Sequence, residues 1–178
     1  MATTLVPPPP RGVTVRALLA VMGFAAVLLP WDAGAQGDAA DRAAALAVAD
    51  SALAAISRSD AVGFTDLMIP EAVMFPTSTR DGATRYAVRT REAQRTSPIT
   101  GTVSERGWSP EVRVNGGVAM VWYPYDLYRD GQWSHCGVDI FTLVRHQGRW
   151  RIAAMAWSAE QPPACRKHPA GPPPGARP

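Results

Sequence analysis

The chain has 178 residues and 19.0 kDa, room for one domain and not two. Hydrophobic residues at 47% and charged residues at 19% exclude wholesale disorder. Net charge is +3 from seventeen Arg, one Lys and fifteen acids, and no basic run exceeds Arg166-Lys167, so no nucleic-acid partner is expected. Two Cys and three His exclude a multi-zinc protein or a dense disulfide scaffold.

The N-terminus reads as an export leader over residues 1–35. Arg11 and Arg16 precede an apolar run ending at Trp31, and Ala33-Gly34-Ala35 supplies a small-residue cleavage site. The run is short of the about 20 residues a spanning helix needs, and Pro30 interrupts it. The alternative is an uncleaved anchor. Cleavage predicts a periplasmic or secreted domain over 36–161 with no stable membrane association. It also permits a disulfide between Cys136 and Cys165. The segment 162–178 holds seven Pro and no apolar periodicity, and is expected to be a disordered tail.

Within 38–57, Leu46, Ala49, Leu53 and Ile56 share one helical face. Ser59-Asp60 looks like a cap for a second, short helix from Ala61 to about Met68, stopped before Pro70. A strand is expected over 73–77. Residues 84–96 begin as a strand near Tyr86 and Val88 and continue as an Arg-rich helix through Glu92 and Gln94. Segments 103–114, 118–129, 132–146 and 149–159 are β-branched and aromatic, separated by Gly-containing hairpin loops. Helices followed by a strand meander make an α+β fold.

Hairpin counting sets the faces. A two-residue loop at Asp130-Gly131 pairs Asp126 with His135 and Trp122 with Asp139. A two-residue loop at Gln147-Gly148 pairs Leu143 with Ile152 and Phe141 with Ala154. Trp122, Phe141, Leu143, Trp150 and Ile152 then form the core face. The Asn115 junction needs a three-residue, bulged loop to keep Val112, Val114 and Trp122 together. Tyr123, Tyr125 and Trp157 fall on the outer face, an aromatic patch suited to a homodimer.

Three stretches carry a resemblance: Val121-Trp122-Tyr123-Pro124-Tyr125-Asp126, Ser134-His135-Cys136-Gly137-Val138-Asp139-Ile140-Phe141, and Gly148-Arg149-Trp150-Arg151-Ile152. With the element order they resemble the nuclear transport factor 2-like superfamily, in particular SnoaL-like and lumazine-binding-type domains, across about residues 43–160. The resemblance implies a cone-shaped fold of N-terminal helices on a strongly curved, mainly antiparallel sheet. It also implies a ligand pocket between the two layers and frequent dimers through the sheet. The superfamily includes ketosteroid isomerase, scytalone dehydratase and limonene epoxide hydrolase, so the fold alone selects no reaction.

The candidate catalytic set is His135 as base, Asp126 as its orienter, and Asp139 as a second acid or a ketosteroid-isomerase-like base. The plainer alternatives are a structural Asp126–His135 pair and an Asp139 bonded to the indole N–H of Trp122 or Trp150. Trp122, Tyr128, Phe141 and Trp150 are the candidate pocket lining, or ordinary core. No metal-ligand spacing, phosphate-binding loop or nucleophile elbow occurs, so no cofactor or metal is expected. The leading expectation is a domain that binds a small hydrophobic or aromatic ligand. An acid–base isomerase or dehydratase and a structural dimerisation module are the alternatives.

Overall fold

A computed structural model describes residues 33–177. The leader expected over 1–35 lies outside the described residues, apart from Ala33 to Ala35, which open the first helix. Helix α1 (Ala33–Ser57) lays Ala45, Ala49, Ala52 and Leu53 on the sheet. The alanines let the helix approach closely, and apolar residues at helical spacing give it one buried stripe. Asp60 caps α2 (Ala61–Asp66), its carboxylate accepting from the Gly63 N–H at 2.7 Å. Strands β1 (Met68–Arg80), β2 (Ala83–Tyr86) and β3 (Arg89–Thr90) follow, then α3 (Arg91–Thr96), capped by Thr90. The meander is β4 (Val103–Gly107), β5 (Glu111–Asn115), β6 (Val118–Arg129), β7 (Gln132–His146) and β8 (Arg149–Ala159).

The sheet runs β2-β1-β8-β7-β6-β4, with β3 on β1 and β5 on β6. Every pairing is antiparallel except β1 with β8. The segment expected as one strand over 103–114 is two, because Trp108-Ser109-Pro110 breaks it and both halves pair with β6. The core lies between α1, α2 and the inner sheet face, with Val121, Phe141, Leu143, Ile152 and Met155 fully buried.

Both tight loops form as expected. Asp130-Gly131 (φ 52° and 78°) and Gln147-Gly148 (φ 50° and 74°) have the two positive φ values that match strand twist. The register beyond them does not follow the count. Tyr128 pairs with Trp133, but Leu127 then pairs with His135, so Ser134 is an extra residue bulged out of the ladder. Asp126 consequently pairs with Cys136, and Trp122 with Ile140. A second bulge at Ala153 pairs Phe141 with Met155 instead of Ala154. Side chains alternate with a period of two, so one inserted residue reverses every face beyond it. The inner face of β6 is therefore Val121, Tyr123, Tyr125 and Leu127. The Asn115 loop is also shorter than expected: Asn115 pairs with Val118 around Gly116-Gly117.

The C-terminal segment has no helix or strand, but it is not the free tail expected. Cys165 is bonded to Cys136, with Cα atoms 5.6 Å apart. The Arg177 N–H donates to the Gly131 carbonyl at 2.7 Å, and the Lys167 ammonium sits 4.4 Å from the Trp133 ring centre. The segment covers the outer face at the β6–β7 hairpin. That explains why Tyr125, Asp126, Leu127 and Tyr128 are all buried in succession: odd positions face the core side, even positions face the tail.

Candidate functional site

The bulge at Ser134 separates the residues that counting had brought together. Asp126 lies on the outer face and His135 on the inner one, so they form no pair. Asp126 is fully buried in a network of its own. Arg106, its cross-strand neighbour on β4, donates to both carboxylate oxygens at 3.0 and 2.8 Å. The His168 N–H of the tail donates to the same carboxylate at 3.0 Å, and Arg106 also reaches the Gly171 carbonyl at 2.8 Å. A fork-to-fork pair with a further backbone donor is a structural clamp that fastens the tail, not an orienter for His135.

The expected pocket lining is corrected in the same way. Trp122 points outward and is 39% exposed. Tyr128 also faces outward, 5.4 Å beneath the Arg106 guanidinium. Phe141 and Trp150 do face inward, but under α1, where the helix packs directly on the sheet and leaves core in place of cavity. Trp150 stacks against Arg145, whose guanidinium bonds Asp41 of α1.

The cavity opens where α1 ends. It has a volume of about 270 Å³ and lies between the inner face of β4, β6, β7 and β8 and the end of α1 with α2. Ile56, Phe64, Leu127, Met155 and Trp157 make its apolar wall, and His135, Asp139 and Glu105 lie inside it. Ser57, the last residue of α1, fixes β4 beneath: its Oγ accepts from the Glu105 N–H at 2.9 Å and donates to the Glu105 carbonyl at 3.1 Å. Glu105 pairs with Leu127 and so shares its inward direction. Gly137 sits between Asp139 and His135 on this face. A Cβ there would strike the Ser158 carbonyl, which the Tyr125 hydroxyl needs as its acceptor at 2.9 Å.

Asp139 is 1% exposed, and neither of its oxygens meets an N–H donor, so the indole partners expected for it are not used. Trp122 is on the other face, and the Trp150 N–H is itself without an acceptor. What stands beside Asp139 is Glu105, which lines the same cavity, and each carboxyl alters the other's hold on its proton. Burial raises the Asp139 pKa well above the usual carboxylate range, and the neighbouring Glu105 raises it further. Burial also raises Glu105, to about 7, against a smaller opposing effect of neighbouring Asp139. Both acids therefore hold a proton beyond the usual carboxylate range, Glu105 to about 7. Two acids so displaced can give and take a proton at one place.

The remaining inward polar groups are quieter. His135 is held neutral by burial and then by the Arg129 charge, its Nδ1 2.9 Å from the Ser134 hydroxyl and its ring edge-on to Tyr125. Tyr125 is locked on Ser158, and burial drives its pKa far up, so it stays protonated. Tyr123 donates to Asp50 of α1 at 2.9 Å and is pushed up to about 12, first by burial. Sequence reasoning placed Asp139 but missed Glu105. The available signal was alternation in Val103-Ser104-Glu105-Arg106-Gly107, which sets Glu105 on the apolar side of its strand. Among the described residues no group of three or more His, Cys, Asp or Glu is placed to hold a metal ion, and no helix is long and apolar enough to cross a membrane.

No protein-family model matches the chain, and no curated protein matches it. Solved structures do. A protein of unknown function with a cystatin-like fold from Nostoc punctiforme is 9% identical with a TM-score of 0.56, over 70% of this chain and 94% of that one. A nuclear transport factor 2-like protein of unknown function from Pseudomonas putida is 13% identical with a TM-score of 0.54, over 76% and 98%. A ketosteroid isomerase-like protein from Erwinia carotovora is 15% identical with a TM-score of 0.50, over 67% and 95%. At such identities the likeness is one of fold, and this chain has the nuclear transport factor 2-like fold: helices set on a strongly curled, mostly antiparallel sheet.

Proposed function

We propose that the cavity binds a small, mainly apolar molecule and moves a proton on it, as an isomerase or dehydratase does. Glu105 is the base and the protonated Asp139 the hydrogen-bond donor that stabilises negative charge developing beside it. The observation that carries this reading is two buried acids lining one cavity, with neither Asp139 oxygen served by a donor. His135, the base expected from the sequence, is a neutral polar contact in the wall, and Asp126 has no part. Burying two acids against each other is costly for the fold, which is why such pairs mark sites of chemistry. A screen of small ketones and enones in deuterated buffer tests it, reading solvent deuterium at carbons next to the carbonyl. Exchange by the wild type that falls at least about 100-fold in Glu105→Gln supports the reading. Binding without exchange, or exchange unchanged in that variant, overturns the catalytic part and leaves a binding pocket.

Two further expectations are proposed on separate grounds. The outer face carries an apolar cross-strand row, Trp122–Ile140–Ala156–Phe75, with Trp122 39% and Phe75 36% exposed, which suits a second copy of the chain. It replaces the expected patch of Tyr123, Tyr125 and Trp157, which point inward. Sedimentation equilibrium should show a dimer that Trp122→Glu dissociates; a monomeric wild type overturns it. The Cys136–Cys165 bond favours an oxidising compartment and hence export. N-terminal sequencing of extracytoplasmic protein should find cleavage near Ala35, and an intact Met1 on cytoplasmic protein overturns it.

A further inference from the structure

We infer that the ligand of this cavity is a small organic anion, an apolar or aromatic carboxylate in particular, held at its charged end by Arg89 and Arg129. The inference rests on the reading of the cavity as a ligand site and adds the chemical class of the ligand. It comes from sorting the arginines by their partners. Arg91 and Arg95 pair with Asp66, Arg106 with Asp126, Arg145 with Asp41 and Arg42 with Asp38. These cations tie the fold together.

The two arginines that line the cavity are different. Among the described residues neither pairs with a carboxylate. Arg89 on β3 uses one nitrogen on the Gln94 amide oxygen at 2.6 Å and lies 5.9 Å from the centre of the Trp157 ring. Arg129, at the end of β6, uses one nitrogen on the Thr100 carbonyl at 2.6 Å. Each guanidinium has five N–H donors in a planar fork, so most of its donors remain free. Gln94 is itself only 6% exposed, lines the cavity, and its amide NH₂ has no acceptor among the described residues. With its oxygen accepting from Arg89, the amide NH₂ is what Gln94 has left to offer a ligand.

The cavity therefore presents two cations and an amide donor around an apolar wall. Its buried acids do not neutralise them: neither Glu105 nor Asp139 lies within ion-pair distance of either arginine. The charge of Arg129 is felt inside, since it helps hold His135 neutral. A carboxylate fits a guanidinium fork in a bidentate way that a ketone or alcohol cannot. A volume of about 270 Å³ limits the apolar part to one or two rings.

The test is an NMR titration of the full domain, disulfide intact, with cinnamate and with the neutral, equally sized cinnamamide, at one pH and ionic strength. Cinnamate should bind at least tenfold more tightly, shifting Leu127, His135 and Met155. Arg129→Gln and Arg89→Gln should each weaken it at least fivefold. Arg129 is exposed, so its replacement leaves the fold intact, which an unchanged melting temperature verifies. Equal binding of amide and acid, unchanged affinity in both variants, or shifts confined to the tail around Arg106 and Lys167 each overturn the inference. If the amide alone binds in the cavity, the anion assignment fails and the ligand site stands. If neither probe binds there, both fail.

Discussion

Asp126 and Asp139 are both buried aspartates, on neighbouring strands, 0% and 1% exposed, and their surroundings are opposite. Asp126 faces the tail and receives two guanidinium bonds and a backbone N–H. Asp139 faces the cavity and receives nothing but another acid. The first is an acid for which the fold supplies three donors. The second keeps its proton because the fold withholds them. Burial alone thus says little about role, and the donor inventory around a buried acid says a good deal.

The tail side of this contrast carries the largest expected effects. Opening Cys136–Cys165 releases a crosslink spanning 29 residues, worth roughly 3.5 kcal/mol by loop entropy. Urea unfolding with and without reductant should show that loss, and equal midpoints would show that the tail contributes nothing. Asp126→Asn breaks one buried ion pair and strands Arg106, for a loss of about 3 kcal/mol. It should also free the His168 amide to exchange with solvent.

The cavity side predicts smaller changes of the opposite kind. Glu105 in the folded chain titrates near 7 and in the unfolded chain near 4.5, so the folded state binds more protons between those values. Its contribution is fully present below the unfolded pKa and is lost as pH rises through the folded one. Stability should fall by at most about 1.4 kcal/mol per pH unit from about pH 5 to 7, and Glu105→Gln should flatten that slope. Asp139→Asn keeps the shape and removes an acid that no donor serves, and should shift stability by less than about 1 kcal/mol, well below the loss expected for Asp126→Asn. Equal losses in the two variants would erase the distinction between the acids.

Much of this was legible in the residues. The strand meander, both Gly hairpins, the cap at Asp60 and the disulfide follow from local chemistry that leaves a mark in sequence. The bulge at Ser134 leaves none, because its extra residue needs no glycine and no positive φ. Its trace was a conflict of parity. A two-residue Gly116-Gly117 loop sets Val112 and Val114 with Val121, whereas counting from Asp130-Gly131 sets Trp122 inward, and the two agree only if one residue is added between them. Lengthening the first loop resolves the conflict on paper; the chain resolves it at Ser134. Everything misassigned, Asp126, Trp122, Tyr123, Tyr125 and Trp157, follows from that one residue or from the second bulge at Ala153. Tyr128 was misread because its cover is the tail, which composition alone marks as loose. Alternation marks Glu105 as facing the apolar side of its strand, but its place in the cavity depends on β4 pairing with β6, a long-range contact that local pattern does not encode.

Proton transfer in the cavity requires that its two acids be protonated where ordinary carboxyls are not, and carboxyl carbon NMR reads this directly. With ¹³C-labelled Asp and Glu side chains followed from pH 4 to 8, Glu105 should titrate with a midpoint near 7 and Asp139 should hold its proton well past the usual aspartate range, with Glu105→Gln removing the transition near 7. Midpoints near 4 for both residues would mean two ordinary solvated carboxylates, and the proposed proton transfer would have no groups to perform it.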